Sequence, residues 1–110
     1  MLSNPLMETL QLEEQIVKML RTVYDPEIPV NIYDLGLIYN VDVQEEGAKV
    51  VITMTLTAPN CPAADFILQD VQIKVESIKG VKRCDIELTF DPSWDSSMMS
   101  EEAQLELGFL

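Results

Sequence analysis

Residues 50–68 read VVITMTLTAPNCPAADFIL, and this stretch decides the fold. Its first half alternates apolar residues with valine and threonine as far as Thr57, which is the period of a half-buried strand. The segment Ala58–Pro62 breaks that strand. Because Pro62 suits the first position of a helix, where a missing N–H costs nothing, Cys61 is the predicted N-cap residue. The stretch therefore predicts a strand, a proline-bounded turn and a helix, with a cysteine at the junction.

The remaining elements follow from the same two periodicities. Apolar residues at helical spacing carry the helix after the turn as far as Gly80, a natural terminator. Its predicted buried stripe consists of Ala64, Ile67, Val71, Val75 and Ile78, widened by Phe66 and Leu68. A first helix is predicted over Leu12–Val23. A strand over Leu37–Val43 is predicted to form a hairpin with Val50–Thr57 through the turn Glu45-Glu46-Gly47. The last two predicted elements are a third strand over Lys82–Phe90 and a short acidic helix over Ser100–Leu107.

The order α-β-β-α-β, closed by the short C-terminal helix, predicts a two-layer α+β sandwich with helices on one face of the sheet. Because a helix connects them, the second and third strands are expected to run parallel. The chain has 110 residues, which is the size of one domain, so we expect a single domain over 1–110. Within it, residues 1–10 are expected to be a flexible N-terminus and residues 91–110 an acidic tail.

The charge balance excludes several classes of partner. Seven Lys and Arg against nineteen Asp and Glu give a net charge of −12. Such a polyanion is repelled by nucleic acid and by anionic membrane surfaces, so neither is expected to bind. No apolar run approaches the roughly 18–20 residues of a membrane span, and the N-terminus lacks the basic-then-apolar shape of a signal peptide. A cytoplasmic location is therefore expected.

The residue types present also limit the chemistry. The sequence contains no histidine, which excludes Ser-His-Asp and Cys-His catalysis and histidine-containing zinc sites within the chain. Its two cysteines cannot form a four-cysteine metal site by themselves. The available groups are thiols, carboxylates, hydroxyls and backbone, or groups supplied by a second subunit.

Cys61 is the leading candidate for a functional residue. A cysteine at a helix N-terminus faces unpaired N–H groups and the positive end of the helix dipole, and both stabilise the thiolate. The alternative is a small buried cysteine that serves as a cap. Cys84 shares a predicted strand face with apolar residues, so it is predicted to be a core thiol.

Oxygen-bearing residues could accompany Cys61. Asp25, Glu27 and Asp34 lie in a loop that could fold back toward it, and oxygen ligands beside a thiolate could hold iron incompletely. The alternative is that Asp25 and Asp34 stabilise turns through bonds to the backbone. Thr57 precedes the turn and could bond a ligand, although threonine is also simply common in strands.

The tail offers an apolar cluster of Trp94, Met98 and Met99. Methionine and aromatic residues together can form an adaptable contact surface. Such a cluster more often folds onto its own domain, and that is the interpretation we favour.

Three longer motifs make the chain similar to a known family. They are DPEIPVNIYDLGLIYNV (25–41), LTAPNCP (56–62) and DPSWDSSMMSEEAQLELG (91–108). Together they resemble the PaaD-like, SufT-like family, whose members are small factors of iron–sulfur cluster assembly related to the cytosolic iron–sulfur targeting subunit of eukaryotes. The fold of that family is an α+β sandwich of the iron–sulfur assembly type, in agreement with the element order above.

The resemblance implies a role in maturing iron–sulfur proteins, as an assembly or targeting factor rather than an enzyme. It makes Cys61 the key residue and carries over the acidic positions Asp25, Glu27 and Asp34. We expect Cys61 to ligate iron or an iron–sulfur cluster transiently, or to contact a client thiol. The expected partners are the assembly machinery and client apoproteins, and the apolar residues of the tail are compatible with a homodimer.

Two alternatives stay open on the sequence alone. The first is a thiol-dependent enzyme using Cys61, for which no histidine base is available. The second is an adaptor that binds clients through the surface Trp94–Leu107 and needs no thiol.

Overall fold

The computed structural model describes residues 5–26, 28–58 and 63–108, with backbone alone for residues 5–7. Within these residues three helices and one three-stranded sheet alternate as predicted. Their bounds are α1 Pro5–Leu20, β1 Ile38–Gln44, β2 Lys49–Met54, α2 Ala64–Glu76, β3 Arg83–Leu88 and α3 Glu101–Glu106. No helix among these residues combines the length and the apolar character needed to cross a membrane.

Helix α1 is longer at its start and shorter at its end than the sequence predicts. It begins at Pro5 instead of Leu12, so residues 5–10, assigned above to a flexible N-terminus, are helical. Proline suits the first helical position because its missing N–H would be unpaired there anyway. The helix ends at Leu20 because the following bonds span three residues, as in Val23 N–H to Leu20 O at 3.2 Å, which tightens the backbone into a turn.

The sheet has the order β1-β2-β3. Strands β1 and β2 are antiparallel, and β2 and β3 are parallel, so both predictions about strand direction are confirmed. Val41, Ile52 and Ile86 stand side by side across the sheet and share its apolar face. The opposite face is polar. The ion pairs of Asp85 with Arg83 at 2.8 Å and with Lys49 at 3.7 Å lie there.

Helix α2 buries one stripe against the sheet, and its N-terminal half departs from the prediction. Ile67, Val71 and Val75 are buried as expected. Phe66 does not widen the stripe, because its side chain is 61% exposed. Successive helical residues are turned by about 100°, so a residue that directly precedes Ile67 points away from the stripe that Ile67, Val71 and Val75 form.

The core joins the sheet, both long helices and the tail. Its members are Ile16, Leu20, Val23, Val30, Ile32, Leu35, Leu37, Val50, Ile52, Met54, Leu56, Ile67, Val71, Val75, Ile78, Val81, Cys84, Met99 and Ala103. The predicted core position of the Cys84 thiol is therefore confirmed. Leu88, predicted on the same apolar strand face, is 42% exposed, because it is the last residue of an outer strand of the sheet.

Candidate functional site

The predicted cysteine turn lies between β2 and α2. Cys61 itself falls outside the described residues, as do its neighbours Pro59, Asn60 and Pro62. The N-cap of α2 is Ala63, so the predicted N-cap at Cys61 is wrong by two positions. The physical consequence is that the cap residue itself, an alanine, has no side-chain acceptor for the first N–H groups of α2.

The chain that leads from β2 into this turn is firmly held. Thr55 is fully buried, and its N–H donates to Leu37 O at 2.8 Å. Leu56 is also buried, and Thr57, three residues after the end of β2, is half-buried. These contacts fix the start of the turn against the end of the loop that carries the predicted acidic residues.

The loop between α1 and β1 folds back on itself. Tyr24 and Asn31 form an isolated antiparallel bridge, and Ile32 N–H donates to Val23 O at 2.9 Å. Asp25, just inside the bridge, is 5% exposed, which is unusual for a carboxylate. Glu27 lies outside the described residues. The bridge therefore holds one predicted site residue, Asp25, against the protein interior.

Asp34 is engaged in holding the loop together. Its carboxylate accepts a hydrogen bond from the side chain of Asn31 at 2.8 Å, and its N–H donates to the side-chain oxygen of Asn31 at 2.9 Å. Arg21 lies 3.9 Å from the other carboxylate oxygen and stacks over the ring of Tyr33. These contacts favour the turn-stabilising interpretation of Asp34 over a ligand role.

Asn31 is the residue that sequence analysis missed in this loop. It is 9% exposed and makes both bonds to Asp34. The signal was present in the sequence, because asparagine in a Pro-rich loop commonly stabilises a turn through its side chain. Asp34 is thereby positioned by a partner that lies in the same turn.

The described carboxylates do not form a metal site by themselves. Among residues 5–26, 28–58 and 63–108, no three His, Cys, Asp or Glu side chains converge as metal ligands would. Cys84 does not contribute, because burial raises the pKa of its thiol to about 12, assisted by the nearby charges of Glu76 and Asp85. The Cys84 thiol therefore keeps its proton at neutral pH.

The tail closes over the same loop, as the favoured interpretation of its apolar cluster predicted. The indole N–H of Trp94 donates to Leu35 O at 2.7 Å, and the N–H of Ser100 donates to Asp34 O at 2.8 Å. Met99 is 5% exposed and belongs to the core. The loop with Asp25 and Asp34 is therefore bonded both to the tail and to Thr55, just after β2.

The chain is similar to known proteins over most of its length. Residues 13–88 match the family described as "Iron-sulfur cluster assembly protein". A Porphyromonas gingivalis protein named Fe-S protein maturation auxiliary factor is 74% identical over 103 residues, which cover 94% of this chain and 97% of that protein. The Staphylococcus aureus Fe-S protein maturation auxiliary factor SufT is 36% identical over 86 residues, which cover 78% of this chain and 97% of that protein.

A solved structure has the same fold. The crystal structure of a domain of unknown function, DUF59, from Bacillus anthracis superposes with a TM-score of 0.83 at 36% identity. The match covers 92% of this chain and 95% of that one. The predicted family resemblance and the predicted α+β sandwich are therefore confirmed.

Proposed function

Because the chain belongs to the iron–sulfur cluster assembly protein family, we propose that it is an accessory factor in the assembly of iron–sulfur clusters or in their transfer to client proteins. The observation that carries this proposal is the similarity, along nearly the whole of both chains, to a protein named Fe-S protein maturation auxiliary factor. The whole chain, 1–110, acts as one assembly domain in the cytoplasm.

Cys61 is the residue through which the factor acts. It lies two residues before the N-cap of α2, and that cap has no side-chain acceptor. Unpaired N–H groups and the positive end of the helix dipole favour a nearby anion, which supports a thiolate in this turn. Iron or an iron–sulfur cluster is the cargo that this thiolate ligates transiently; contact with a client thiol is the alternative use of the same atom.

Three residues that carry side-chain oxygen atoms are proposed to help the thiolate hold iron. Thr57 leads into the turn, and Asp25 and Glu27 belong to the loop whose last residue, Leu37, is bonded to Thr55. Carboxylate and hydroxyl oxygens suit iron beside a thiolate. Asp34 stays in the proposed set with less support, since Asn31 already occupies its carboxylate.

A single thiolate leaves a cluster incompletely ligated, because protein-bound clusters are held by about four cysteines or equivalent ligands. The missing ligands come from a second protein, which suits transfer better than storage. The proposed partners are accordingly the assembly machinery and client apoproteins. A homodimer that places two Cys61 residues on one cluster is part of the same proposal.

The first prediction tests the role of Cys61 by anaerobic reconstitution with iron and sulfide, followed by absorption spectroscopy. Wild type is expected to develop the visible absorbance of an iron–sulfur cluster, and Cys61→Ser is expected to lose it because the thiol proposed to ligate the cluster is gone. Cys84→Ala is the matched control, since it removes a thiol that is buried and protonated. Cluster formation in Cys61→Ser equal to wild type would refute the proposal, provided circular dichroism shows both variants folded.

The two other hypotheses from the sequence stay predictions. The thiol-dependent enzyme has no histidine base in this chain. The adaptor hypothesis uses Trp94–Leu107, and part of that surface is already committed to the core through Met99 and Ala103. Deleting the tail would therefore disturb the fold as well as any contact surface, so point substitutions at exposed positions such as Leu105, 59% exposed, are the cleaner test.

A further inference from the structure

The outer edge of β3 is covered over half its length. The N–H of Cys84 donates to the Glu76 carboxylate at 2.9 Å, and the side-chain amide of Gln72 donates to Cys84 O at 3.1 Å. Both partners are side chains of α2, and they take the place that a neighbouring strand would occupy. Covering an edge in this way prevents it from pairing with another chain.

The cover ends after Cys84. Along β3 the odd-numbered residues turn their N–H groups toward β2, as Thr89 N–H to Met54 O at 2.9 Å shows. The N–H and C=O groups of Ile86 and Leu88 therefore point outward. Among the described residues, no side chain bonds them as Gln72 and Glu76 bond Cys84. The second half of β3 is an open strand edge.

A groove of about 580 Å³ runs beside this open edge, between β3 and α2. Its lining residues are Asp65, Leu68, Gln69, Gln72, Asp85 and Ile86. Leu68 and Ile86 are half-buried and supply apolar surface, and Leu88 is 42% exposed at the end of the strand. The edge thus offers backbone hydrogen bonds together with apolar surface beside them, the two features by which sheets accept an added strand.

The charges along β3 are segregated. Lys82 and Arg83 precede the covered half. The charge of Asp85 is balanced by its ion pairs with Arg83 and Lys49, and the bond from Arg83 lowers the pKa of the carboxyl, which stays ionised. Glu87 and Asp65, at the open half, are exposed and have no ion pair among the described residues. The open half is therefore negative, and from Asp85 to the C-terminus the sequence has seven acids and no base.

We propose that the open half of the β3 edge, Ile86–Leu88, binds an extended basic segment of a partner protein as a fourth strand. An apolar side chain of that segment packs between Leu68 and Ile86. Lysine or arginine side chains on either side of it face Glu87 on the polar face of the sheet, and Asp65 adds to their attraction.

The location of this edge relates it to the proposed function, on which the nature of the partner rests. Strands β2 and β3 are parallel, so the open half of β3 and the exit of β2 toward Cys61 lie at the same end of the sheet. The bond between Thr89 and Met54 joins the two strand ends directly. A segment bound there brings its own protein to the end of the sheet from which the cysteine turn departs.

The second prediction tests this edge with the peptide acetyl-Lys-Val-Lys-Val-Lys-amide and the acidic control acetyl-Glu-Val-Glu-Val-Glu-amide, titrated in two-dimensional NMR. The basic peptide is expected to shift the amide signals of Ile86 and Leu88 and to slow their hydrogen exchange, and the acidic peptide is expected to do neither. Glu87→Lys is expected to weaken binding about fivefold or more, because it replaces an attraction by a repulsion. Glu14→Lys, an equal charge reversal at an exposed position of α1, is the matched control and should bind as wild type does.

Three results would overturn the inference. The first is equal amide shifts with both peptides, and the second is unchanged binding by a folded Glu87→Lys variant. The third is slow hydrogen exchange at Ile86 and Leu88 before any peptide is added, in a chain that sediments as a dimer. The last result would assign the edge to a second copy. The titration is repeated with Cys61→Ser, in which peptide binding should persist, so failure of cluster reconstitution and failure of edge binding are told apart.

Discussion

Gly36 lies in the loop carrying Asp34, where the backbone of that loop packs against the tail. Its φ is +83°, and a Cβ there would lie 2.8 Å from the backbone carbon of Met98. Neither the left-handed conformation nor the backbone contact can be relieved by a side-chain rotation. The close approach therefore requires glycine at this position.

The third prediction follows from this contact. Gly36→Ala should lower the free energy of unfolding by about 3 kcal/mol, the sum of backbone strain and displacement of the tail. Gly80→Ala is the matched control, because Gly80 has a φ of +95° but nothing within 4 Å of its Cβ position. It should lose only about 1 kcal/mol. Urea unfolding measures both, and equal losses would show that the Met98 contact does not constrain the backbone.

The fourth prediction concerns Cys84. Burial raises the pKa of its thiol from 9.0 to about 12, so the native protein keeps the proton when the unfolded chain has lost it. Unfolding is therefore favoured as the pH rises above 9.0, by about 1.4 kcal/mol per pH unit while this difference lasts. Below pH 9.0 the contribution to stability is fully present. Urea unfolding of wild type and Cys84→Ala across this range should show a steeper loss for wild type, and parallel curves would contradict the burial of the thiol.

At the scale of elements, α3 depends on its cap. The side chain of Ser100 accepts a hydrogen bond from Ala103 N–H at 3.1 Å, and its own N–H donates to Asp34 O. A helix of six residues is too short to be stable by itself, so the cap and the burial of Ala103 hold it. The same serine therefore joins the last helix to the acidic loop.

The fifth prediction is that Ser100→Ala lowers the free energy of unfolding by about 1 kcal/mol, the usual cost of an N-cap. Ser100→Asp should recover the lost stability, because a carboxylate caps a helix as well as a hydroxyl does. The backbone N–H of residue 100 can donate to Asp34 O in both variants. Chemical denaturation of the three proteins measures both changes. An aspartate variant as unstable as the alanine variant would show that the side-chain bond to Ala103 is not the stabilising contact.

The elements themselves were predictable because their signals are local. Alternation identified β2 and β3, and helical spacing identified the buried stripe of α2. The start of α1 was missed because Pro5 allows a helix to begin without requiring it. The exposure of Phe66 was missed because hydrophobicity was counted without its direction around the helix.

At the scale of the whole molecule, the contacts around the candidate site could not be predicted. Trp94 and Leu35 are 59 residues apart in sequence, and the bond between them follows from packing rather than from any local pattern. The covering of β3 by Gln72 and Glu76 likewise requires α2 and β3 to be already in place. Residue type and position in the sequence indicate which residues could take part in chemistry, and Cys61 and Glu27 stay predictions. The structure adds which neighbours hold Asp25 and Asp34.

The anchoring of Trp94 has a practical consequence. The chain has one tryptophan, and its indole is tied to the loop that carries the acidic residues. The emission wavelength of this tryptophan in the unlabelled protein should therefore report whether the C-terminal segment stays docked on the loop. Loosening of that segment by a mutation, a change of solvent or an arriving partner becomes visible in real time without any attached dye.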